Sequence, residues 1–398
     1  MINASKDSIY CEHELHMIIN RILDILPQIK RKSLFLMGPR QTGKSTYIRN
    51  QLKEEIALSW NLLDGRLRMR VQADPSLLRE EVEARDLRDC VMYIDEIQKC
   101  PELLEEIHFL IEDRNIRFLM TGSSARKLRS YGVNLLGGRA AQYHFHPFCY
   151  IEVKDERNIT LHDIFERGML PPHFLSDDVE EDLSAYVGTY LTEEIAAEGA
   201  ARNLPAFSQF LQIAALSNSS IINYTNIAND SNVPRQTVKL WYDILINTLL
   251  AFEVQPYTAT KKRKAIETAK FYFFDVGVLR TLRNIPVPAE NTAEFGEFFE
   301  TYICMELRTW IDYKHPKSKL YYWRSTAGQE VDFLVDEELA IEVKSAHIIS
   351  DKHLKGLKAL CEENIFKRYI VVCQEEHPRL VDGIEVLPWK YFLEQIWK

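Results

Sequence analysis

This chain of 398 residues lacks several features, and each absence removes a class of protein. No apolar run approaches the roughly 20 residues that a bilayer-spanning helix needs, so a membrane protein is not expected. No charged-then-apolar leader opens the chain, because Lys6, Asp7, Glu12 and Glu14 punctuate its first turns; the expected compartment is cytoplasmic. The seven cysteines, at positions 11, 90, 100, 149, 304, 361 and 373, form no C-x-x-C pair and stand at no metal-ligand spacing from histidine. That pattern argues for reduced thiols over a disulfide framework or a zinc site. A basic excess is missing too: the formal charge of −9 excludes a wholly cationic nucleic-acid coat but leaves room for a local patch. No internal repeat or low-complexity tract is visible. What remains, 46% hydrophobic and 27% charged, is an ordinary globular composition in a chain too long for one core, which predicts two or three domains.

The strongest positive signal is Gly38-Pro39-Arg40-Gln41-Thr42-Gly43-Lys44-Ser45, which fits the phosphate-gripping pattern G-x-x-x-x-G-K-[ST]. The apolar run Ser33 to Met37 before it predicts a buried strand, and Thr46 to Glu55 after it an opening helix. Such a loop wraps a nucleotide. Backbone N–H groups and the positive helix end face the phosphates, Lys44 reaches the β/γ oxygens, and the Ser45 hydroxyl is a Mg²⁺ ligand. Val91-Met92-Tyr93-Ile94-Asp95-Glu96 is a second apolar run ending in two carboxylates. Placed after the loop, it predicts Asp95 as the Mg²⁺ holder and Glu96 as the residue that orients the attacking water. A third run, Arg117 to Ser124, ends in small hydroxyl residues. Ser123 is the candidate contact to the γ-phosphate or water, with Thr121 and Ser124 as alternates. A plain hydroxyl turn capping a helix over Ala125 to Arg129 is the other reading. Trp60 to Asp64 reads as a further short strand.

Strands alternating with helical stretches such as Pro101 to Arg114 predict an α/β fold with a parallel sheet and ligand at the strand carboxyl ends. The ordered segments GPRQTGKST, VMYIDEIQK, FLMTGSS and LLGGRAAQYHFHPF resemble the bacterial and archaeal AAA-type P-loop ATPases that carry a C-terminal domain of unknown function. The resemblance implies ATP and Mg²⁺ as ligands, with Gly38 through Thr46 as the nucleotide cradle. Through Gly138-Arg139 it implies an arginine finger or sensor at Arg139, acting in its own chain or on a neighbouring copy in a homo-oligomer. A structural Arg139 paired with a local carboxylate is the alternative.

After Pro171-Pro172 the pattern turns helical, with Tyr186, Tyr190, Ile195, Phe207, Phe210, Leu211 and Ala214 near helical spacing. Asn223 to Ala228, the turn Ser231 to Pro234, and Arg235 to Leu250 then read as helix-turn-helix. Arg235, Gln236 and Lys239 stand where a recognition helix would meet DNA. Lys261-Lys262-Arg263-Lys264 reads either as the basic wing of a winged helix or as a solvated loop. The family resemblance extends to Phe271-Tyr272-Phe273-Phe274-Asp275-Val276-Gly277.

Toward the C-terminus a helix from about Glu294 places Glu300 on an apolar face, so that carboxylate needs a partner. Val331 to Val335 and Leu339 to Lys344 predict a hairpin around Asp336-Glu337-Glu338. In that register Val335 opposes Leu339, Phe333 opposes Ile341 and Asp332 opposes Glu342. Like charges face to face favour a cation between them. The pattern E…D-x₉-E-x-K resembles the PD-(D/E)xK nuclease core. That resemblance implies Asp332 and Glu342 as metal ligands, Lys344 as water activator and Glu300 as the completing carboxylate. Arg324 and Gln329 contact phosphate or brace the hairpin. A solvated edge hairpin, or a domain that binds without cutting, are the competing readings. The expected organisation is an AAA-type domain over 1–180, a winged-helix-like domain over 181–270, and a restriction-endonuclease-like α/β domain over 271–398.

Overall fold

The computed structural model describes residues 18–124, 135–156, 158–191 and 203–398. The opening residues Lys6 to Glu14, the helix expected over Ala125 to Arg129, and Ile195 lie outside them.

Five parallel strands form the first sheet: β1 Ser33–Met37, β2 Ile56–Asn61, β3 Val91–Asp95, β4 Arg117–Gly122 and β5 Ala140–His144, in the order β2-β3-β4-β1-β5. β1 lies between β4 and β5, with Met37 level with Gly122 on one side and His144 on the other. Its five residues are all buried. Alternate side chains serve two separate cores: Phe35 and Met37 pack with Met92, Ile94, Phe118 and Met120, whereas Leu34 and Leu36 pack with Ile48, Leu119 and Phe145. A strand buried on both faces is why this segment reads as a continuous apolar run. The helix after the phosphate loop runs over Lys44–Gln51, followed by a short 3₁₀ turn at Lys53–Glu55, and the strand expected at Trp60 to Asp64 runs instead over Ile56–Asn61.

A nine-stranded mixed sheet follows, in the order β13-β14-β12-β11-β10-β9-β7-β8-β6. Its strands are β6 Ser220–Ile221, β7 Ala251–Pro256, β8 Lys270–Phe273, β9 Leu320–Arg324, β10 Glu330–Val335, β11 Leu339–Val343, β12 Arg368–Cys373, β13 Arg379–Val381 and β14 Ile384–Pro388. Helices Leu204–Leu216, Tyr224–Asp230 and Arg235–Asn247 precede β7, so residues 204–273 run helix, strand, helix, helix, strand, strand. β7 pairs antiparallel with β8 and in parallel with β9, which joins this middle segment to the C-terminal strands in one sheet.

One large core gathers side chains from Ile19 to Trp397. The Asp-x-Gly of the middle segment serves it structurally. Asp275 accepts from Val278 N at 3.0 Å, capping helix Val276–Arg283, and from Met169 N at 2.7 Å. A Cβ on Gly277 would lie 2.6 Å from Gly168 N, so the two segments close only with glycine there. Among the described residues no helix is long and apolar enough to cross a membrane.

Candidate functional site: a phosphate loop and a carboxylate centre

The loop Gly38 to Gly43 leaves the carboxyl end of β1, and Gln41 and Gly43 turn it through left-handed conformations at φ 60° and 89°. A Cβ on Gly38 would sit 2.3 Å from the Phe145 carbonyl oxygen, so close packing beneath the loop requires glycine. Lys44, 6% exposed, donates to the Gly38 and Pro39 carbonyls at 2.7 and 2.8 Å. Thr42 Oγ1 donates to Pro39 O at 2.8 Å, while Gln41 and Thr46 are exposed at the rim. The cation is therefore folded over its own loop, where an anion can take the place of the two carbonyls.

Strand ends converge beside it. Ser45 Oγ donates to Asp95 Oδ2 at 3.0 Å, and Thr121 Oγ1 donates to Asp95 Oδ1. Glu96, at φ 59°, turns off the end of β3. Its Oε2 accepts from Gln98 Nε2 at 2.5 Å, and the same amide nitrogen donates to Ser123 Oγ at 3.1 Å. Ser123 thus joins Glu96 through Gln98, and Thr121, its alternate, holds Asp95. Burial pushes the Glu96 carboxyl up, with Lys44 and Arg40 pulling it back. Ser45 and Asp95 form an all-oxygen pair suited to a hard cation. Among the described residues no group of three or more His, Cys, Asp or Glu is arranged to hold a metal by itself. That fits a site where phosphate oxygens supply the remaining ligands.

A cleft of about 770 Å³ opens against the loop helix at Thr46 and Asn50, with Ile18 and Ile19 on one side and Pro171 and Leu175 on the other. Its size suits a small-molecule ligand. Arg21 braces one wall, donating to Thr42 O at 2.8 Å, His146 O at 2.7 Å and Glu152 Oε1 at 3.0 Å, with its guanidinium 4.2 Å from the Phe145 ring centroid. Arg139 lies elsewhere. It precedes β5, whose first residue pairs with Ser33 at the far end of β1 from the loop, one strand length or roughly 15 Å away. There it pairs with Glu112 at the surface, its side chain 40% exposed.

The second constellation also meets in space. The hairpin register is as read from the sequence for Val335 with Leu339 and Phe333 with Ile341. The β9–β10 pairing slips between Val331 and Leu334, and Asp332 Oδ2 accepts from Val343 N at 2.8 Å. Lys344 Nζ stands 2.5 Å from Glu342 Oε1 and 3.9 Å from Asp332 Oδ2. Asp332 and Glu342 are buried, and their strands lie inside the sheet, so this is no solvated edge hairpin. Glu300, on helix Ala293–Lys314, faces this centre with its Oε1 accepting from Tyr272 OH at 2.6 Å, and among the described residues no three of these carboxylates are arranged to hold a metal by themselves. Burial raises the Glu342 carboxyl, helped by the charge of Asp332 and opposed by Lys344; burial likewise raises Glu300, opposed by Lys270. Gln329 N donates to Ser325 Oγ at 3.1 Å and so braces the turn before β10, while Arg324 lies 3.5 Å from Glu330 Oε2.

In the middle segment Arg235, Gln236 and Lys239 are exposed along one helix. The basic run is engaged in part, through its backbone and the Lys262 and Arg263 side chains. The Lys261 and Lys262 backbone N–H groups donate to Glu363 Oε2 at 2.9 and 3.1 Å, and Arg263 pairs with Glu362 at 2.8 Å. Residues 261–263 form bends and no strand.

Sequence reasoning missed Arg21, Gln98 and Lys270. Arg21 and Lys270 had a signal, a lone cation in Ile18-Ile19-Asn20-Arg21-Ile22-Leu23 and at the head of the aromatic β8. Gln98 had none.

Comparisons with known proteins agree with the first site. Residues 30–154 match a family model described as an AAA domain, residues 158–289 a domain of unknown function (DUF8612), and residues 295–392 a domain of unknown function (DUF4143). Uncharacterized proteins of Mycobacterium bovis and Mycobacterium tuberculosis are each 24% identical over 311 residues, covering 76% of this chain and 67% of theirs. Among solved structures, the Aeropyrum pernix ORC1 protein in complex with DNA aligns over 67% of this chain and 94% of its own, at 12% identity and a TM-score of 0.28. Drosophila ORC bound to AT-rich DNA and Cdc6 aligns over 65% and 90%, at 9% identity and a TM-score of 0.23. Scores this low carry no weight here. The parallel sheet, the phosphate loop and the matched family model together make the amino-terminal part of this chain an AAA-type P-loop ATPase domain, joined to a C-terminal domain of unknown function.

Proposed function

We propose that the protein hydrolyses ATP and couples nucleotide state to the binding or processing of DNA, through a winged-helix-like middle domain over 181–270 and a nuclease-like domain over 271–398. The observation that carries the DNA reading is the meeting of Asp332 and Glu342 within 4 Å of the Lys344 ammonium nitrogen, with Glu300 on the neighbouring helix. Supporting it are the helix, strand, helix, helix, strand, strand order of 204–273 and the exposed cations Arg235 and Lys239.

At the phosphate loop, Lys44 exchanges the Gly38 and Pro39 carbonyls for phosphate oxygens. Glu96, held by Gln98, orients water toward the γ-phosphate. Ser45 and Asp95 would hold Mg²⁺, which neutralises charge on the phosphates when bound. Arg139, a strand length from its own loop, acts on the ATP of a neighbouring copy. At the C-terminal centre Asp332 and Glu342 would hold the ion, and the Lys344 ammonium would orient and polarise the attacking water.

The reading is tested by ATPase assays with and without duplex and single-stranded DNA, beside Mg²⁺-dependent cleavage of plasmid DNA. Cleavage lost in Lys344→Ala and kept in Lys44→Ala supports a nuclease. DNA that neither stimulates turnover nor is cut sinks the DNA reading. The second reading is a nucleotide-dependent switch that binds a partner without cutting it. The docking of Arg263 on Glu362 favours it, since it withdraws cationic charge from the wing.

A further inference from the structure

The carboxylate centre is assembled from two sides. On one side Lys344 serves Glu342 and Asp332, at 2.5 and 3.9 Å. On the other, β8 sends in Lys270 and Tyr272, which share a face of the strand by its two-residue alternation. Lys270 Nζ lies 3.3 Å from Glu300 Oε1 and 2.5 Å from Glu330 Oε1, and 5.4 Å from the Tyr322 ring centroid. Its side chain is only 5% exposed, and an ammonium that dry persists only among opposite charges. The two halves differ in what they leave unmet. Glu342 Oε2 has no hydrogen-bond partner, in a side chain more than nine-tenths buried. Four carboxylates, Glu300, Glu330, Asp332 and Glu342, face two ammonium groups. Arg324 relieves only the rim, with its side chain 42% exposed.

We infer that Lys270 is a resident cation standing where a second metal ion would otherwise be held, so that the centre takes one divalent ion, on Asp332 and Glu342, while Glu300 is reserved to Lys270 and Tyr272. This rests on the metal-binding reading of Asp332 and Glu342 proposed above. Two-ion centres place their metals about 3.5–4 Å apart between shared carboxylates. With Glu300 and Glu330 already clasped by a tethered ammonium, the carboxylates for the second position are taken. Lysine supplies charge and hydrogen-bond donors there, but no exchangeable ligand position.

The test counts Mn²⁺ bound to the full-length, nucleotide-free protein by electron paramagnetic resonance, as the difference from Asp332→Asn. One ion per chain is expected for the wild type and for Lys270→Arg, and two for Lys270→Met. The added ion disappears again in the double variant Lys270→Met with Glu300→Gln. Two ions on the wild type, or one on folded Lys270→Met, overturns the role of Lys270 and leaves the metal reading standing. No ion on the wild type overturns the metal reading and this inference with it. Should Lys270→Met fail to fold by circular dichroism, the wild-type count decides alone, one ion supporting and two overturning.

Discussion

His146 donates through Nε2 to Asp312 Oδ2 at 2.6 Å, fastening the segment after β5 to the C-terminal end of the helix that carries Glu300. The contact sits directly behind the phosphate loop, since Phe145 N donates to Met37 O at 2.7 Å. Burial drives the imidazole of His146 down to about 4, outweighing the upward pull of Asp312. Burial pushes the Asp312 carboxyl up, but hydrogen bonds from His144 and His146 outweigh it and hold the group below its usual range. A neutral histidine donating to an ionised carboxylate satisfies both.

The pH dependence follows from the sign of these shifts. Unfolded, His146 takes a proton near pH 6.5; folded, it resists until about 4. Its contribution is whole above 6.5 and is lost as pH falls toward 4, a change of roughly 3 kcal/mol at about 1.4 kcal/mol per pH unit. Glu300 and Glu342, raised by burial, act in the opposite sense, favouring the fold as pH falls. The expected result is therefore a difference: between pH 6.5 and 4, urea unfolding of His146→Gln shows a shallower loss of stability than the wild type. Parallel curves would remove His146 from the account.

Lys44→Ala removes the ammonium seated on the phosphate loop. ATP with Mg²⁺ at 100 times its Kd stabilises the wild type by about 2.7 kcal/mol. In the variant the melting temperature does not move with nucleotide. An undiminished shift would place ATP elsewhere.

Glu96→Gln keeps the shape of the Gln98 contact but loses the charge that orients water. Turnover falls about 100-fold or more, as expected for loss of a general base, while ATP affinity stays within a few-fold. Gln98→Ala frees the same carboxylate from Ser123 and lowers turnover less. Normal turnover in Glu96→Gln would reassign the water to another residue.

Gly38→Ala drives a methyl group against the Phe145 carbonyl, 2.3 Å from where its Cβ would stand. Backbone must move, at a cost of about 1–3 kcal/mol. Denaturant midpoints measure this directly. A variant as stable as the wild type would mean that the loop can lift off β5 freely.

For DNA, each lost phosphate contact lowers the magnitude of the salt slope by about 0.9. Arg235→Ala with Lys239→Ala flattens it by close to two such units. Neutralising Lys262 and Arg263 changes it less, because Glu362 already engages both side chains, the Arg263 guanidinium through its carboxylate and the Lys262 ammonium through its backbone carbonyl. The reverse order would restore the basic wing as the contact surface.

The nucleotide site was legible because its chemistry is local. A phosphate cradle is one loop with one following residue, and each strand that completes it ends in the residue that works. Thr121 and Ser123 were visible together, but not that one holds Asp95 and the other Glu96 through Gln98, since that depends on how three loops meet. The hairpin carrying Asp332 and Glu342 was legible through its alternation. The register slip before Leu334 was not, because bulges leave no periodic trace. Lys270 was hidden for a different reason: it reaches Glu300 across 30 residues of chain. The basic run 261–264 looked free because nothing local signals an acidic pair a hundred residues on.

The pairing of β7 with β9 bears on how this protein can be dissected. A fragment cut at the start of the C-terminal family match, residue 295, would keep β9 but lose β7, stranding a row of unpaired backbone groups along a newly exposed margin. It would also leave Glu300 without two of its donors. Such a piece invites self-association and inactivity for reasons foreign to the intact chain. A cut ahead of Ser220 keeps all nine strands together.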